Sequence, residues 1–208
     1  MAKSSRMKLT LSIVVCGILV VFGMKYLGKV FVPPHTASAT IRVKGNSDAP
    51  IRVTEFIDLE CPACAQGAKY LAQFMADHPA SVRLELKYFP LKMHRHGLEV
   101  ARYAECAARQ GKFWPFQDLL LERQANWSRL MDAAPAFILI AKEVGLDPKR
   151  LDTCLKDGSV DALITQSQME GEKRGVKSTP TYYINGKMVV GINSLQSELT
   201  QLLNASQK

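Results

Sequence analysis

Apolar residues first dominate the chain over residues 9–24, a run broken only by Thr10, Ser12 and two glycines, which follows eight residues of basic character. As a helix, these sixteen residues would span about 24 Å, somewhat less than the roughly 20 residues that a bilayer favours. The nearest small-residue segment suited to signal cleavage, residues 37–39, lies well beyond the run. We therefore expect residues 1–24 to be a single-pass signal anchor in the cytoplasmic membrane rather than a cleaved signal peptide, with the following chain on the periplasmic, extracytoplasmic side.

Beyond this run the apolar positions follow the periods of strands and helices. Residues 25–49, with their Pro-Pro and Gly-Asn-Ser segments, are predicted to be a stalk or linker, in which residues 39–43 suit a short edge strand. Residues 51–58 and 82–89 have the composition of strands. Between them, residues 61–77 repeat apolar side chains at helical spacing. Strand, helix and strand in this order predict a βαβ unit with parallel pairing.

A long helical segment separates this unit from the last part of the chain. Residues 94–175 read as almost continuous helix, and Asp147 followed by Pro148 suits a helix N-terminus. The strand pattern then returns with an Asn-Gly hairpin signal. The elements predicted there are a strand at 181–184, a strand at 188–190 and a helix at 194–203. The sequence therefore predicts one α/β domain, residues 50–205, with a large helical insertion.

The net charge of +8 does not indicate a nucleic-acid partner. Residues 1–30 contain five basic and no acidic residues, so they account for more than half of it. The other 22 basic residues are balanced by 19 acidic ones, and no basic stripe is evident. Since nucleic-acid binding needs a concentrated basic footprint, we expect no such partner.

Two of the five cysteines, Cys61 and Cys64, enclose the dipeptide Pro-Ala where the first strand of the domain gives way to a helix. At a helix N-terminus, unpaired N–H groups and the helix dipole stabilise negative charge. The thiolate of Cys61 should therefore be stabilised and its pKa lowered. Cys64, one turn later, should face back toward Cys61 and be better buried. This predicts an exposed nucleophile with a resolving partner.

Spacing alone leaves two other roles open for this pair. A zinc site needs a second pair of ligands, for which only His94 and His96 are available, at a spacing unlike that of common zinc modules. A purely structural bridge between Cys61 and Cys64 would close a very short loop and stabilise little. We favour redox chemistry by the thiols themselves, with no metal and no cofactor.

A second motif, Thr179 and Pro180, stands directly before the strand that follows the insert. With the Cys-Pro-Ala-Cys motif, the order of elements and the segments AARQGKFWPFQ and TPTYYINGK, it resembles the DsbA-like thiol:disulfide oxidoreductases of the thioredoxin superfamily over about residues 50–205. The resemblance implies a thioredoxin-like fold and a cis peptide bond before Pro180. It also implies that Pro180 packs beside Cys61, where the Thr179 backbone pairs with a substrate chain.

The same resemblance implies that Glu55 and Lys87 are a buried acid and lysine beneath the cysteine pair, with a proton relay for Cys64. The alternative is that both side chains point to solvent at a sheet edge, since a charge inside a central strand is costly unless it is paired. The chain departs from the family's strongest oxidants by having Pro-Ala instead of Pro-His between its cysteines. The absence of that histidine predicts a less acidic Cys61. Asp58 and Glu60, which we expect to be screened surface charges, act in the same direction.

Cys106 and Cys154 both fall in the helical insert. In an oxidising compartment we expect them to form a disulfide, which the chain-entropy model values at up to about 4 kcal/mol for a loop of this length. The alternative is two buried free thiols. The histidines His78, His94 and His96 are expected at the surface or at helix caps.

These features predict an exported protein thiol:disulfide oxidoreductase that donates disulfides to cysteine-containing exported proteins. The resemblance implies that a quinone-linked membrane protein re-oxidises it. The alternatives are a reductase or isomerase on the same fold, fed by a membrane reductant, and a non-catalytic binding or assembly module. The stalk is too short for the dimerisation domain of the family's isomerases, and the intact cysteine pair argues against a binding module.

Overall fold

A computed structural model describes residues 42–206, whose strands and helices follow the order that the sequence predicts. The strands are β1 (Val43–Gly45), β2 (Ile51–Ile57), β3 (Val82–Tyr88), β4 (Thr181–Ile184) and β5 (Lys187–Val190). The helices are α1 (Pro62–Asp77), α2 (Gly97–Ala108), α3 (Phe113–Glu122), α4 (Gln124–Trp127), α5 (Ala134–Glu143), α6 (Pro148–Leu155), α7 (Gly158–Lys173) and α8 (Gly191–Ser206). This order confirms the α/β thioredoxin-like fold with a helical insertion.

The strands form one sheet in the order β1-β3-β2-β4-β5. β2 and β3 are parallel and are connected through α1, as the βαβ pattern predicts, whereas the other neighbouring pairs are antiparallel. β2 is the central strand, and most of its residues are buried, as expected for a strand that is covered on both faces. Its carboxyl end leads directly to Cys61.

The two faces of the sheet carry separate parts of the core. On one face, Val53 of β2 packs in a cluster with Leu71 of α1 and Leu195 of α8. Phe56 instead belongs to a cluster with Phe89 and Val176. Because side chains alternate along a strand, residues an odd number of positions apart on β2 point to opposite faces, which decides the environment of the charged residues described below.

The helical insertion comprises α2 to α7, and α2 is its centre. Nine of the 12 residues of α2 are buried, and they pack in one cluster with aromatic residues of the insert such as Phe113 and Trp127. Cys106 of α2 and Cys154 of α6 form a disulfide with their Cα atoms 5.7 Å apart. The bridge joins two helices of the insert across 48 residues of sequence.

Several local expectations can be compared with the structure directly. The Asp147 side chain accepts hydrogen bonds from the N–H groups of Lys149 and Arg150, so it caps α6. Asn185 and Gly186 both have positive φ, 48° and 87°, as a tight hairpin turn requires. Of the edge strand expected at residues 39–43, residues 39–41 lie outside the described residues. β1 covers Val43–Gly45 and pairs antiparallel with β3.

The expected membrane anchor, residues 1–24, and most of the stalk, residues 25–49, lie outside the described residues. Within residues 42–206, no helix has the length and apolar character that crossing a membrane requires.

Candidate active site

The cysteine pair lies at the junction between β2 and α1. Cys61 has extended backbone angles and immediately precedes the first helical residue, Pro62, a position where proline costs no hydrogen bond. The N–H of Cys64 donates to the carbonyl of Cys61 over 3.0 Å, which closes the first turn. Both sulfurs are free thiols in this structure.

Cys61 is less exposed than the sequence predicts. Its exposed fraction is 7%, against 0% for Cys64. The cover comes partly from the insert, because the Gln124 side chain donates to the carbonyls of Leu59 and Cys61 over 2.8 and 3.1 Å. Gln124 carries no sequence signal for this role, since it lies 63 residues from Cys61 along the chain. The order of burial of the two cysteines is nevertheless as predicted.

The two thiols have opposite acid–base properties. A hydrogen bond from the Cys64 thiol, with smaller contributions from the Thr179 side chain and the N–H groups of Cys64 and Ala63, lowers the pKa of Cys61 to about 5, although burial acts against this. Burial, the Cys61 sulfur and the charge of Glu55 raise the pKa of Cys64 well above its usual value. Near neutral pH, Cys61 is therefore a thiolate and Cys64 a thiol.

The segment before β4 approaches Cys61 from the other side. The Thr179–Pro180 peptide bond is cis, and Cys61 Sγ lies 3.5 Å from the carbonyl oxygen of Thr179, to which it donates when it is protonated. The Thr179 hydroxyl is buried, and apart from its effect on the Cys61 sulfur it has no hydrogen-bond partner among residues 42–206. The structure therefore brings Cys61, Cys64, Thr179 and Pro180 together, in the arrangement that the resemblance implies.

Glu55 lies on β2 with an exposed fraction of 1%. Burial raises its pKa from 4.5 to about 8, although the Tyr182 hydroxyl and the positive charge of Lys44 act in the opposite direction. Its charge in turn raises the pKa of Cys64. Glu55 is therefore a buried acid that is electrostatically coupled to Cys64, and it does not point to solvent.

The expectation for Lys87 is wrong, because Lys87 does not lie beneath the cysteine pair. In the parallel register, Lys87 pairs with Phe56 and not with Glu55, so it points to the opposite face of the sheet. There its ammonium group is 2.7 Å from Glu170 and 3.3 Å from Glu85. The cation that acts on Glu55 is Lys44 of the edge strand, a residue that the sequence assigns to the stalk.

Asp58 and Glu60 are also not the screened surface charges that were expected, since their exposed fractions are 1% and 8%. Asp58 accepts hydrogen bonds from the N–H of Leu91, over 2.7 Å, and from the N–H of Glu60, over 2.8 Å. It also lies 2.7 Å from His94 Nδ1. Glu60 accepts from the N–H of His96. His96 is buried, and it occupies the N-cap position of α2, one of the two kinds of place expected for the histidines. Asp58 and Glu60 thus connect the segment between β2 and Cys61 to the loop that follows β3.

Residues 42–206 contain no group of three or more His, Cys, Asp or Glu side chains placed to hold a metal ion.

The fold is shared with solved structures of a thioredoxin-like oxidoreductase and of DsbA proteins. A thioredoxin-like oxidoreductase from Silicibacter pomeroyi DSS-3 is 28% identical and superposes with a TM-score of 0.65, covering 79% of this chain and 91% of that one. The thiol-disulfide exchange protein alpha-DsbA2 from Wolbachia pipientis, 20% identical, superposes with a TM-score of 0.64 over 77% of this chain and 86% of its own. The chain belongs to the Thioredoxin_4 family, described as thioredoxin, whose model matches residues 37–205.

A sequence relative is a much longer protein. The Na(+)/H(+) antiporter NhaA 3 of Salinispora tropica is 32% identical over 165 residues, which cover 78% of this chain but 24% of that protein. The chain spans about a quarter of the length of the antiporters that it matches.

Proposed function

We propose that this chain is a membrane-tethered disulfide donor for exported proteins, acting through Cys61 and Cys64. The observation that carries the proposal is the opposite shift of the two thiol pKa values. Thiol–disulfide exchange selects the accessible sulfur whose thiolate is the better leaving group. Cys61, with a lowered pKa and some exposure, is that sulfur, and the fully buried Cys64 is not.

The acidity of Cys61 also bears on the direction of electron flow. At pH 7, a thiolate with a pKa of about 5 stabilises the reduced protein relative to an ordinary thiol by about 3 kcal/mol. For a two-electron couple this makes the disulfide more oxidising by about 60 mV. The Cys61 thiolate is stabilised without a histidine between the cysteines, because the Cys64 thiol, the Thr179 side chain and the helix N-terminus supply hydrogen bonds to its sulfur.

The exchange proceeds in two steps. A substrate thiolate attacks Cys61 Sγ, the Cys61–Cys64 bond breaks, and Cys64 leaves as a thiolate that takes a proton from Glu55. A second substrate thiolate then attacks the substrate sulfur of the mixed disulfide, which releases the oxidised substrate and the Cys61 thiolate. The backbone at Thr179 holds the substrate chain beside Cys61 during both steps.

Re-oxidation of the dithiol requires an electron acceptor, and a quinone-linked membrane protein is the partner that we propose. Residues 1–24 would keep the domain close to such a partner on the extracytoplasmic side of the membrane.

The reduction potential of the Cys61–Cys64 pair, equilibrated against glutathione in the full chain, tests the proposal. Reference values are about −120 mV for DsbA and about −270 mV for thioredoxin. We expect a value nearer to the first, which supports a donor. A value near the second would reassign the protein as an exported reductase that a membrane reductant supplies. Full function of a Cys61→Ser variant would instead leave only a binding or assembly role.

A further inference from the structure

Tyr182 is a buried polar residue to which the sequence assigns no role. It is the cross-strand partner of Glu55 in the antiparallel pairing of β2 and β4, so both side chains lie on the same face of the sheet. Their exposed fractions are 0% and 1%. The Tyr182 hydroxyl and Glu55 Oε1 are both buried without a hydrogen-bond partner among residues 42–206. Buried polar groups without a hydrogen-bond partner are rare in folded proteins, so each one calls for an explanation.

The helix that carries Cys64 is shaped to admit this hydroxyl. Gly67 lies one turn after Cys64 inside α1, a position where glycine weakens a helix. A Cβ atom at Gly67 would lie 2.1 Å from the Tyr182 hydroxyl oxygen but 3.5 Å from the ring carbon that bears it. The space is therefore required by the hydroxyl, since the ring alone would tolerate a methyl group there.

We propose that Tyr182 is a positioning residue for the disulfide exchange proposed above: its hydroxyl donates a hydrogen bond to the carboxylate that Glu55 becomes when it gives its proton to Cys64. The proton moves from the Glu55 carboxyl to the Cys64 sulfur, while Tyr182 keeps its own proton. The inference rests on the proposed function, because only a cycle in which Cys64 leaves and returns requires Glu55 to change its charge.

The surrounding charges are consistent with this role. Burial and the negative charges of Glu55 and Cys64 raise the pKa of Tyr182, so its hydroxyl stays a donor at every working pH. The groups that act on Glu55 are the Tyr182 hydroxyl from β4 and Lys44 from β1. The Cys64 thiol at the start of α1 is coupled to it in turn. A buried carboxylate needs such a donor, because leaving it without one carries the full cost of desolvation.

The test is a pH titration of the Glu55 carboxyl by ¹³C NMR, in the full reduced chain in detergent micelles. The signal is assigned by its loss in Glu55→Gln. We expect the midpoint in the unchanged chain at about 8 and an upward shift of about one unit in Tyr182→Phe, as the loss of a hydrogen bond to a charged group predicts. Tyr183→Phe is the matched control, because the Tyr183 hydroxyl donates to the Arg174 carbonyl instead.

Two further readouts separate this role from a structural one. Gly67→Ala, which displaces the hydroxyl without removing it, should also raise the Glu55 midpoint. The pH profile for reduction of the Cys61–Cys64 disulfide by a peptide dithiol should shift in the same direction in Tyr182→Phe, and this shift should disappear in the Glu55→Gln background. Equal Glu55 midpoints in Tyr182→Phe and Tyr183→Phe would overturn the inference. A thioredoxin-like potential with the Glu55 shift present would overturn only the donor role.

Discussion

Cys64→Ala is the substitution that best tests how the fold makes Cys61 acidic. The hydrogen bond from the Cys64 thiol is the largest influence that lowers the pKa of Cys61 to about 5. A hydrogen bond to a charged group contributes about 1.5–3 kcal/mol, and one pKa unit corresponds to about 1.36 kcal/mol. Removing the Cys64 thiol should therefore raise the pKa of Cys61 by about one to two units. The pKa of Cys61 should still stay below the ordinary cysteine value of 9.0, because the Thr179 side chain and the helix N–H groups remain.

The measurement is the ultraviolet absorbance of the thiolate as a function of pH. A Cys61→Ser, Cys64→Ala double variant supplies the baseline and removes the contribution of other groups. Cys64→Ser is the control, because its hydroxyl keeps a hydrogen-bond donor at the same position, and its midpoint should stay close to that of the unchanged protein. If Cys64→Ala also titrates at about 5, the N-terminus of α1 sets the pKa by itself and the reasoning fails.

Three further predictions concern the buried groups and the insert. Glu55→Gln removes an acid whose pKa rises from 4.5 to about 8 on folding, so it should increase the free energy of unfolding by about 3 kcal/mol at pH 7. Replacing Cys106 and Cys154 together by alanine should lower the free energy of unfolding by up to about 4 kcal/mol and leave the potential of the active-site pair unchanged. Gly67→Ala should destabilise the chain, because its Cβ would lie 2.1 Å from the Tyr182 hydroxyl, and adding Tyr182→Phe should restore much of the loss.

Urea unfolding of each variant checks all three. For Glu55, the folded state binds more protons than the unfolded state between pH 4.5 and about 8, so the native chain loses stability as pH rises through that window. The gain in Glu55→Gln must therefore vanish below pH 4.5, and a gain that is independent of pH would contradict the assignment. A changed active-site potential in the variant without the Cys106–Cys154 bridge would show that the insert disulfide is coupled to the site. Additive effects of Gly67→Ala and Tyr182→Phe would show that the methyl group and the hydroxyl do not meet.

The features that sequence predicted well are those encoded locally. The position of Cys61 before α1, the Asp147 cap and the Asn185-Gly186 turn each depend on a few consecutive residues. The βαβ unit likewise follows from two strand patterns around one helical pattern. Such features can be predicted because the backbone angles and hydrogen bonds of a few consecutive residues define them, and few tertiary contacts change them.

The features that sequence missed depend on register and on distant elements. Lys87 was placed with Glu55, but a shift of one residue in the pairing of parallel strands transfers a side chain to the other face, and Lys87 pairs with Phe56. Asp58 looked exposed because its partners, Leu91 and His94, belong to a loop more than thirty residues away. No local pattern reports such partners.

Three features beneath Cys64 each weaken the fold when considered alone. Glu55 is a buried acid that costs stability at neutral pH, and Gly67 lowers the helix propensity of α1. The Tyr182 hydroxyl is buried and has no hydrogen-bond partner among residues 42–206. A glutamine, an alanine and a phenylalanine at these positions would satisfy the packing of a thioredoxin-like domain. The proposed function would explain their combination, because a site that delivers a proton to a buried sulfur needs an acid near its pKa, a hydrogen-bond donor for the resulting carboxylate, and space for that donor.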